Sequence, residues 1–124
     1  MNIIKSHREL NVYKLAFTSS MKIFNFSKKF PKEEIYSLTD QIRRSSRSVC
    51  SNIAEGFRRR KYPKAFSNKL NESEAEAAET QNWLDFAFSC GYLDEDSYHL
   101  LDKEYDMIIG MLVNMQRNSD KWSL

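Results

Sequence analysis

Residues Gln41–Lys61 read QIRRSSRSVCSNIAEGFRRRK and place two kinds of side chain on opposite sides of one helix. At about 100° of rotation per residue, the basic side chains fall within about 100° of one another. The apolar side chains gather on the other side. The basic stripe contains Arg43, Arg44, Arg47, Arg58 and Lys61, and the apolar stripe contains Leu38, Ile42, Val49 and Ile53. We therefore predict a helix with one buried face and one face that meets water or an anionic partner.

The rest of the chain predicts further amphipathic helices. Its 124 residues include only three Gly and two Pro, a composition that disfavours turn-rich β folds. Apolar residues recur at spacings of three and four over residues 9–26, 31–60, 63–90 and 94–118. Short connections between such helices predict an all-α fold, an antiparallel up-down-up-down four-helix bundle that forms one domain over residues 1–124.

Each predicted helix carries an apolar stripe that we expect to be buried. The second helix is predicted to begin at Pro31, which suits a first helical turn, and its stripe then includes Ile35. Serines and alanine at the centre of this helix predict the close approach of another helix. The other stripes are Leu10, Tyr13, Phe17, Met21 and Phe24 in the first helix, Phe66, Leu70, Ala77, Gln81, Leu84 and Phe88 in the third, and Tyr98, Leu101, Tyr105, Ile108, Leu112 and Met115 in the fourth.

The charges are divided unevenly along the chain, although the net charge is only +2. Residues 41–69 contain nine Lys or Arg and one Glu, whereas residues 70–106 contain eleven Asp or Glu and one Lys. The basic and the acidic segment can form ion pairs with each other, within or between subunits. Alternatively, the basic half can face a polyanion while the acidic half faces away. The charge pattern does not separate these two interpretations.

The sequence offers little for catalysis or cofactor binding. It has no glycine-rich phosphate loop, no Ser-His-Asp arrangement and no pair of Glu-x-x-His motifs for a di-iron site. Cys50 and Cys90 match no metal-binding spacing. We therefore expect no catalytic residue, no metal, no cofactor and no enzyme activity. Without an apolar signal segment or a membrane-spanning run, we expect a cytoplasmic protein with reduced thiols and no membrane partner.

The same central segment resembles the signature of the 23S rRNA intervening-sequence protein family, whose members are often called four-helix bundle proteins. The resemblance rests on Gln41–Arg44 (QIRR) and Asn52–Gly56 (NIAEG), with Phe66, Trp83-Leu84 and Gly91–Leu93 farther along. It implies a small bacterial, cytoplasmic bundle, encoded in some members within insertions in 23S rRNA genes. A similar fold serves as the accessory protein of diversity-generating retroelements, a pentamer that associates with nucleic acid and a reverse transcriptase. No catalytic residues are described for the family.

Two functions of different classes fit these observations. The first is a homo-oligomeric, by resemblance pentameric, protein that binds RNA or DNA through a basic surface. The second is a structural or protein–protein interaction module whose arginines form salt bridges between subunits. For phosphate contact the candidates are Arg58, Arg59, Arg60, Lys61 and Lys64, and for the subunit interface they are Arg43, Arg44, Arg47, Asn52, Glu55, Glu76 and Glu79.

Overall fold

The computed structural model describes residues 3–122, and this part of the chain is all-α. The long helices are α1 (Asn11–Ser27), α2 (Leu38–Phe57), α3 (Pro63–Ser89) and α4 (Glu95–Arg117), followed by a short α5 (Ser119–Trp122). Two short 3₁₀ helices, His7–Glu9 and Lys32–Glu34, precede α1 and α2. No strand occurs in residues 3–122, so the all-α part of the predicted fold class is confirmed.

Local residue chemistry accounts for most of the helix ends. Pro63 occupies the first turn of α3, where its missing N–H costs no hydrogen bond. Asp94 caps α4, because its carboxylate accepts from the backbone N–H of Ser97 at 2.7 Å. Between these helices Gly91 takes a φ of 79°, which reverses the chain at low steric cost. The α3–α4 connection is therefore short and tightly defined.

The start of α2 differs from the prediction. Pro31 precedes the 3₁₀ helix Lys32–Glu34, and the α-helix begins only at Leu38. Ile35 lies in the connecting turn and is 47% exposed, so its predicted place in the buried stripe is wrong. The physical reason is the break in helical register, since a residue before the break does not share the face of the residues after it.

The four long helices enclose one apolar core. In sequence order, each helix packs beside the next, and α1 also packs beside α4, whereas within the described residues no Cα atom of α1 comes within 8 Å of one in α3. Ile42, Val49 and Ile53 of α2 are almost fully buried, as predicted. The largest completely buried side chains on the other helices include Tyr105, Phe66, Ile23, Leu70, Leu84, Leu101, Ile108 and Leu112.

The small residues at the centre of α2 pack against two helices of the same chain. Ser20 of α1 donates to Ser46 at 3.3 Å, and Thr80 of α3 donates to Ser45 at 2.8 Å. Ser73 of α3 reaches the α2 backbone, donating to the carbonyl of Val49 at 2.8 Å. The predicted close helix approach is therefore found inside one protomer.

Two other predicted core positions are wrong in α1, and one is wrong in α3. Phe17 is 48% exposed and Met21 is 44% exposed, because α1 turns a different face inward. That inner face is built from Val12, Ala16, Ser19, Ser20, Ile23 and Ser27. Phe88 is 37% exposed near the end of α3, where its ring stacks on Tyr98 with centroids 4.5 Å apart. Apolar spacing alone selected the larger side chains on α1 and missed the small ones that permit close packing.

An added side chain should have opposite effects on stability at two glycines in helices. A Cβ on Gly56 would lie 3.1 Å from the Cβ of Lys69 on α3, whereas one on Gly110 in α4 would meet no atom within 4 Å. Gly56→Val should lower the free energy of unfolding by about 1–3 kcal/mol through overpacking. Gly110→Ala should raise it by about 0.5–1 kcal/mol, because alanine loses less backbone entropy in a helix. Urea unfolding of both variants checks this, and a Gly56→Val protein as stable as the parent would refute the close helix contact.

Candidate nucleic-acid interface and subunit contacts

The turn between α2 and α3 and the adjoining start of α3 hold the residues predicted to contact phosphate. Arg58, Arg59 and Lys61 are exposed in the turn, and Lys64 is exposed in the first turn of α3. The turn is fixed by backbone hydrogen bonds from Arg59 to the carbonyl of Gly56 and from Tyr62 to the carbonyl of Arg59, both at 2.9 Å. Because the turn follows the C-terminal end of α2, its cations also offset the negative end of the helix dipole. The four exposed cations thus project from a short, ordered turn and from the helix start that follows it.

Arg60 is placed differently from its neighbours in the turn. Its Nε donates to the carbonyl of Phe57 at 2.9 Å, and its guanidinium lies 3.7 Å from the centroid of the Phe57 ring. Partial burial, and to a lesser extent the nearby charge of Arg58, lowers the pKa of Arg60. This side chain caps the carbonyl end of α2 and covers the buried ring of Phe57. It is therefore less available to a partner than the other cations of the turn.

The structure adds basic residues that sequence reasoning did not assign to this surface. Lys5, His7, Arg8 and Arg58 line a cavity of about 510 Å³, together with Ser6, Ala54 and Glu55. Partial burial lowers the pKa of His7, and the charges of Arg8 and Arg58 lower it further. The sequence does show that the first thirty residues are rich in Lys and Arg. It does not show that Lys5 and Arg8 lie next to Arg58 in space. We call Lys5, Arg8, Arg58, Arg59, Lys61 and Lys64 the basic end.

A capping box holds the N-terminal segment in this position. The Ser6 hydroxyl accepts from the backbone N–H of Arg8 at 3.2 Å, while the Glu9 carboxylate accepts from the backbone N–H of Ser6 at 2.9 Å. The His7 ring also lies edge-on to Tyr13 of α1, with centroids 4.6 Å apart. Lys5 and Arg8 are thus carried on an ordered segment beside the α2–α3 turn.

Arg43 and Arg47, predicted at a subunit interface, lie beside α1. Their guanidinium carbons are 4.8 and 5.6 Å from the centroid of Phe24, and the ammonium of Lys28 is 4.8 Å from the same ring. Arg43 Nε also donates to the Ser27 hydroxyl at 2.8 Å. Three cations therefore share one aromatic ring, an arrangement stabilised by the negative face of the π system.

Arg44, Glu76 and Glu79 face a polar cavity of about 310 Å³ between α2 and α3. The Arg44 side chain is exposed and lies 3.6 Å from Asp40 in the preceding turn. Partial burial raises the pKa of Glu76, and the charge of Glu79 and a hydrogen bond with it raise that pKa further. The structure brings these three predicted interface residues together, and the neighbouring carboxylate disfavours the charged form of Glu76.

Asn52 and Glu55 find partners within the protomer. The Asn52 amide donates to the backbone carbonyl of Ser48 at 2.9 Å, and Glu55 lies 3.2 Å from the ammonium of Lys69 on α3. Lys69 also contacts Glu72 at 3.1 Å, which raises the Lys69 pKa. Both predicted interface residues therefore have an internal role, and their place at a subunit contact stays a prediction.

The coupling of Glu76 and Glu79 has a measurable consequence. Glu79→Gln removes the neighbouring negative charge, so the pKa of Glu76 should fall toward its ordinary value. The fall should be incomplete, because burial is the larger cause of the raised pKa. Carbon-detected NMR titration of the Glu76 carboxyl measures this. Asp96→Asn, at an exposed site in the first turn of α4, serves as the control, and an unchanged Glu76 pKa in Glu79→Gln would show that the two groups do not interact.

Metal sites and membrane-spanning helices are two further features that residues 3–122 lack. Across residues 3–122, no group of three or more His, Cys, Asp or Glu side chains is arranged to hold a metal ion. Among the helices of the same range, none combines the length and apolarity needed to cross a membrane.

Comparison with known proteins identifies the family. The model of the 23S rRNA-intervening sequence protein family matches residues 8–114. The chain is also similar to a crystal structure of a protein with unknown function from the S23 ribosomal protein family of Bacteroides thetaiotaomicron VPI-5482. That similarity has 26% sequence identity and a TM-score of 0.77, and it covers 86% of this chain and 95% of the other. No curated protein matches. With most of its length covered by the family model and by a helical relative, the chain belongs to the 23S rRNA-intervening sequence protein family.

Proposed function

We propose that this protein is a non-enzymatic, cytoplasmic homo-oligomer that binds RNA or DNA through the basic end. The observation that carries the proposal is that the six cations of the basic end lack carboxylate partners. Within residues 3–122, none of them has a carboxylate within ion-pairing distance. Unpaired cations on an ordered scaffold are suited to bind phosphates, since no internal salt bridge has to be broken first.

The kind of recognition follows from these residue types. Arginines and lysines that contact phosphate oxygens position a nucleic acid without reading its bases. Binding should therefore depend little on sequence and should weaken steeply with salt, as counterions compete for the phosphates. The family name refers to a 23S rRNA intervening sequence, which makes a structured RNA the first polyanion to test. If the gene stands in a retroelement, a reverse transcriptase becomes a further candidate partner.

The second candidate function is a structural or protein–protein interaction module. Arg43, Arg47 and Lys28 favour it, because they lack carboxylate partners within the described part of the protomer and lie away from the basic end. In an oligomer they could pair with acidic groups of another subunit. The family resemblance supports a pentamer. The two functions are compatible, since one uses the basic end and the other uses the sides of the bundle.

We also propose the antiparallel up-down-up-down arrangement for the four long helices. Its support is the reversed order of contacts between successive helices. Along α2, Ser45 meets Thr80 and Glu55 meets Lys69. Along α3, Glu74 accepts from Gln116, Gln81 donates to Asp106, and Asp85 accepts from Tyr98. In both pairs the residues later in one helix meet residues earlier in the next.

Binding measurements at two salt concentrations test the nucleic-acid proposal. A fluorescent structured RNA and a duplex DNA are titrated with the protein at about 50 and about 200 mM salt, while light scattering gives the oligomeric mass. We expect binding at the lower salt that weakens by at least about 100-fold at the higher, as for a protein with several phosphate contacts. Absence of binding to both nucleic acids at the lower salt would contradict the proposal. A monomeric mass at micromolar concentration would contradict the homo-oligomer.

A further inference from the structure

The groove between α1 and α2 exposes aromatic and apolar side chains that the bundle core does not use. Phe17 and Met21 are about half exposed, and Phe17 stacks on Tyr13 with ring centroids 6.0 Å apart. These residues and Phe24 border a cavity of about 230 Å³ whose floor includes Cys50. A contiguous apolar patch of this kind usually marks an interaction site, because its exposure to water is unfavourable.

Cations border this groove on both helices, with Arg43 and Arg47 on α2 and Lys28 at the end of α1. Arg43, Arg47 and Lys28 surround Phe24, and the described residues supply none of them with an ion pair. We call the surface formed by Tyr13, Phe17, Met21, Phe24, Lys28, Arg43 and Arg47 the basic seam. Its partner should therefore combine exposed aromatic or apolar side chains with negative charge.

The groove between α3 and α4 has that combination. Phe88 is partly exposed and stacks on Tyr98, whose hydroxyl donates to Asp85 at 2.6 Å. Asp102 and Asp106 lie beside them, and Gln81 donates to the Asp106 carboxylate at 2.8 Å. Partial burial raises the pKa of Asp102, and the charges of Asp106 and Asp85 raise it further, since the three carboxyl groups lie close together. We call Asp85, Phe88, Tyr98, Asp102 and Asp106 the acidic seam.

We propose that the basic seam of one copy of this chain binds the acidic seam of a second copy. This inference rests on the proposed homo-oligomer and names the two surfaces that form it. The seams cannot meet within one protomer, because α1 lies next to α2 and α4 and diagonal to α3, which places the two grooves on opposite sides of the bundle. Contact between different surfaces is heterologous, so each copy keeps one free seam of each kind until a ring closes.

Two complementary variants test the pairing. Phe17→Glu with Arg47→Glu disables the basic seam, and Phe88→Arg with Asp106→Arg disables the acidic seam. Each variant alone should have the mass of one chain by light scattering, because every contact needs both seams. An equal mixture should form a one-to-one dimer and nothing larger, since only one intact seam of each kind remains. The mixture also reports folding, because a misfolded variant could not restore the contact.

A matched control and the parent protein complete the experiment. Tyr36 is 95% exposed and belongs to neither seam, so Tyr36→Glu should keep the mass of the parent oligomer. The seam pairing is overturned if the parent is oligomeric and either double variant keeps its mass. It is also overturned if the mixture stays monomeric or grows beyond a dimer. A monomeric parent would instead remove the homo-oligomer itself, together with this inference, while leaving nucleic-acid binding at the basic end to its own test.

Discussion

Lys22→Met should lower the free energy of unfolding by about 3 kcal/mol, the largest effect that we expect from one exposed charge. The Lys22 ammonium lies 2.5 Å from Glu104, whose side chain is only 11% exposed between α1 and α4. The other Glu104 oxygen accepts from the Ser19 hydroxyl at 2.7 Å. Removing the lysine leaves a nearly buried carboxylate without a counter-charge. Such a group costs more free energy than the intact pair contributes, because the methionine side chain leaves little room for water to replace the lost partner.

A second substitution separates this explanation from a simple loss of packing. Lys22→Met combined with Glu104→Met removes both charges, so most of the lost stability should return. Lys103→Met, at an exposed site beside Glu104 on α4, should change the stability by less than about 0.5 kcal/mol. Urea unfolding measures all three proteins. If the double variant is less stable than Lys22→Met by the full cost of a second deletion, the two residues do not act as a pair.

Combined replacement of Arg58, Arg59 and Lys61 by Ala should lower the affinity for a structured RNA by about 100-fold or more at low salt. Charge-assisted hydrogen bonds contribute about 1.5–3 kcal/mol each, and these exposed cations have no carboxylate partner to lose within the described residues. Because no salt bridge is broken, the variant should lose only the modest stabilisation of the helix dipole and should unfold within a few degrees of the parent. Fluorescence anisotropy gives the affinity, and circular dichroism gives the melting temperature.

The control for this variant must lose the same charge elsewhere. Lys29, Lys32 and Lys103 are exposed and lie outside the basic end, so their combined replacement by Ala removes three positive charges as well. This protein should lose much less affinity, because only the overall field weakens. Equal losses in the two variants would mean that net charge, rather than the basic end, governs binding.

The regular part of the fold could be predicted from sequence because its signals are local. Pro63, Gly91 and Asp94 act within a few residues of a helix end, and the spacing of Leu101, Tyr105 and Ile108 reflects one helix alone. Ser19 and Glu104 could not be found in this way. Their burial depends on which helices meet, and the ion pair with Lys22 joins residues that are far apart in sequence.

The candidate sites show the same division. The basic character of Arg58–Lys64 is visible in the sequence, but the stacking of Arg60 on Phe57 depends on where the helix ends. Lys5 and Arg8 join this surface only because a capping box and the Tyr13 ring hold the N-terminal segment beside α2. The exposure of Phe17 was missed because apolar spacing does not distinguish a face that packs in the core from one available to a partner.

Lysine acetylation of the parent protein, with and without a structured RNA, tests most directly whether the basic end contacts the phosphates of a nucleic acid. Mass spectrometry reports the modification of each lysine, and the basic end includes Lys5, Lys61 and Lys64. We predict that RNA slows acetylation of these three lysines at least several-fold, while Lys103 on α4 reacts at the same rate in both samples. Protection of Lys103 equal to that of Lys61 and Lys64, or no protection of the basic end under conditions where RNA is bound, would contradict the claim that this surface contacts phosphate.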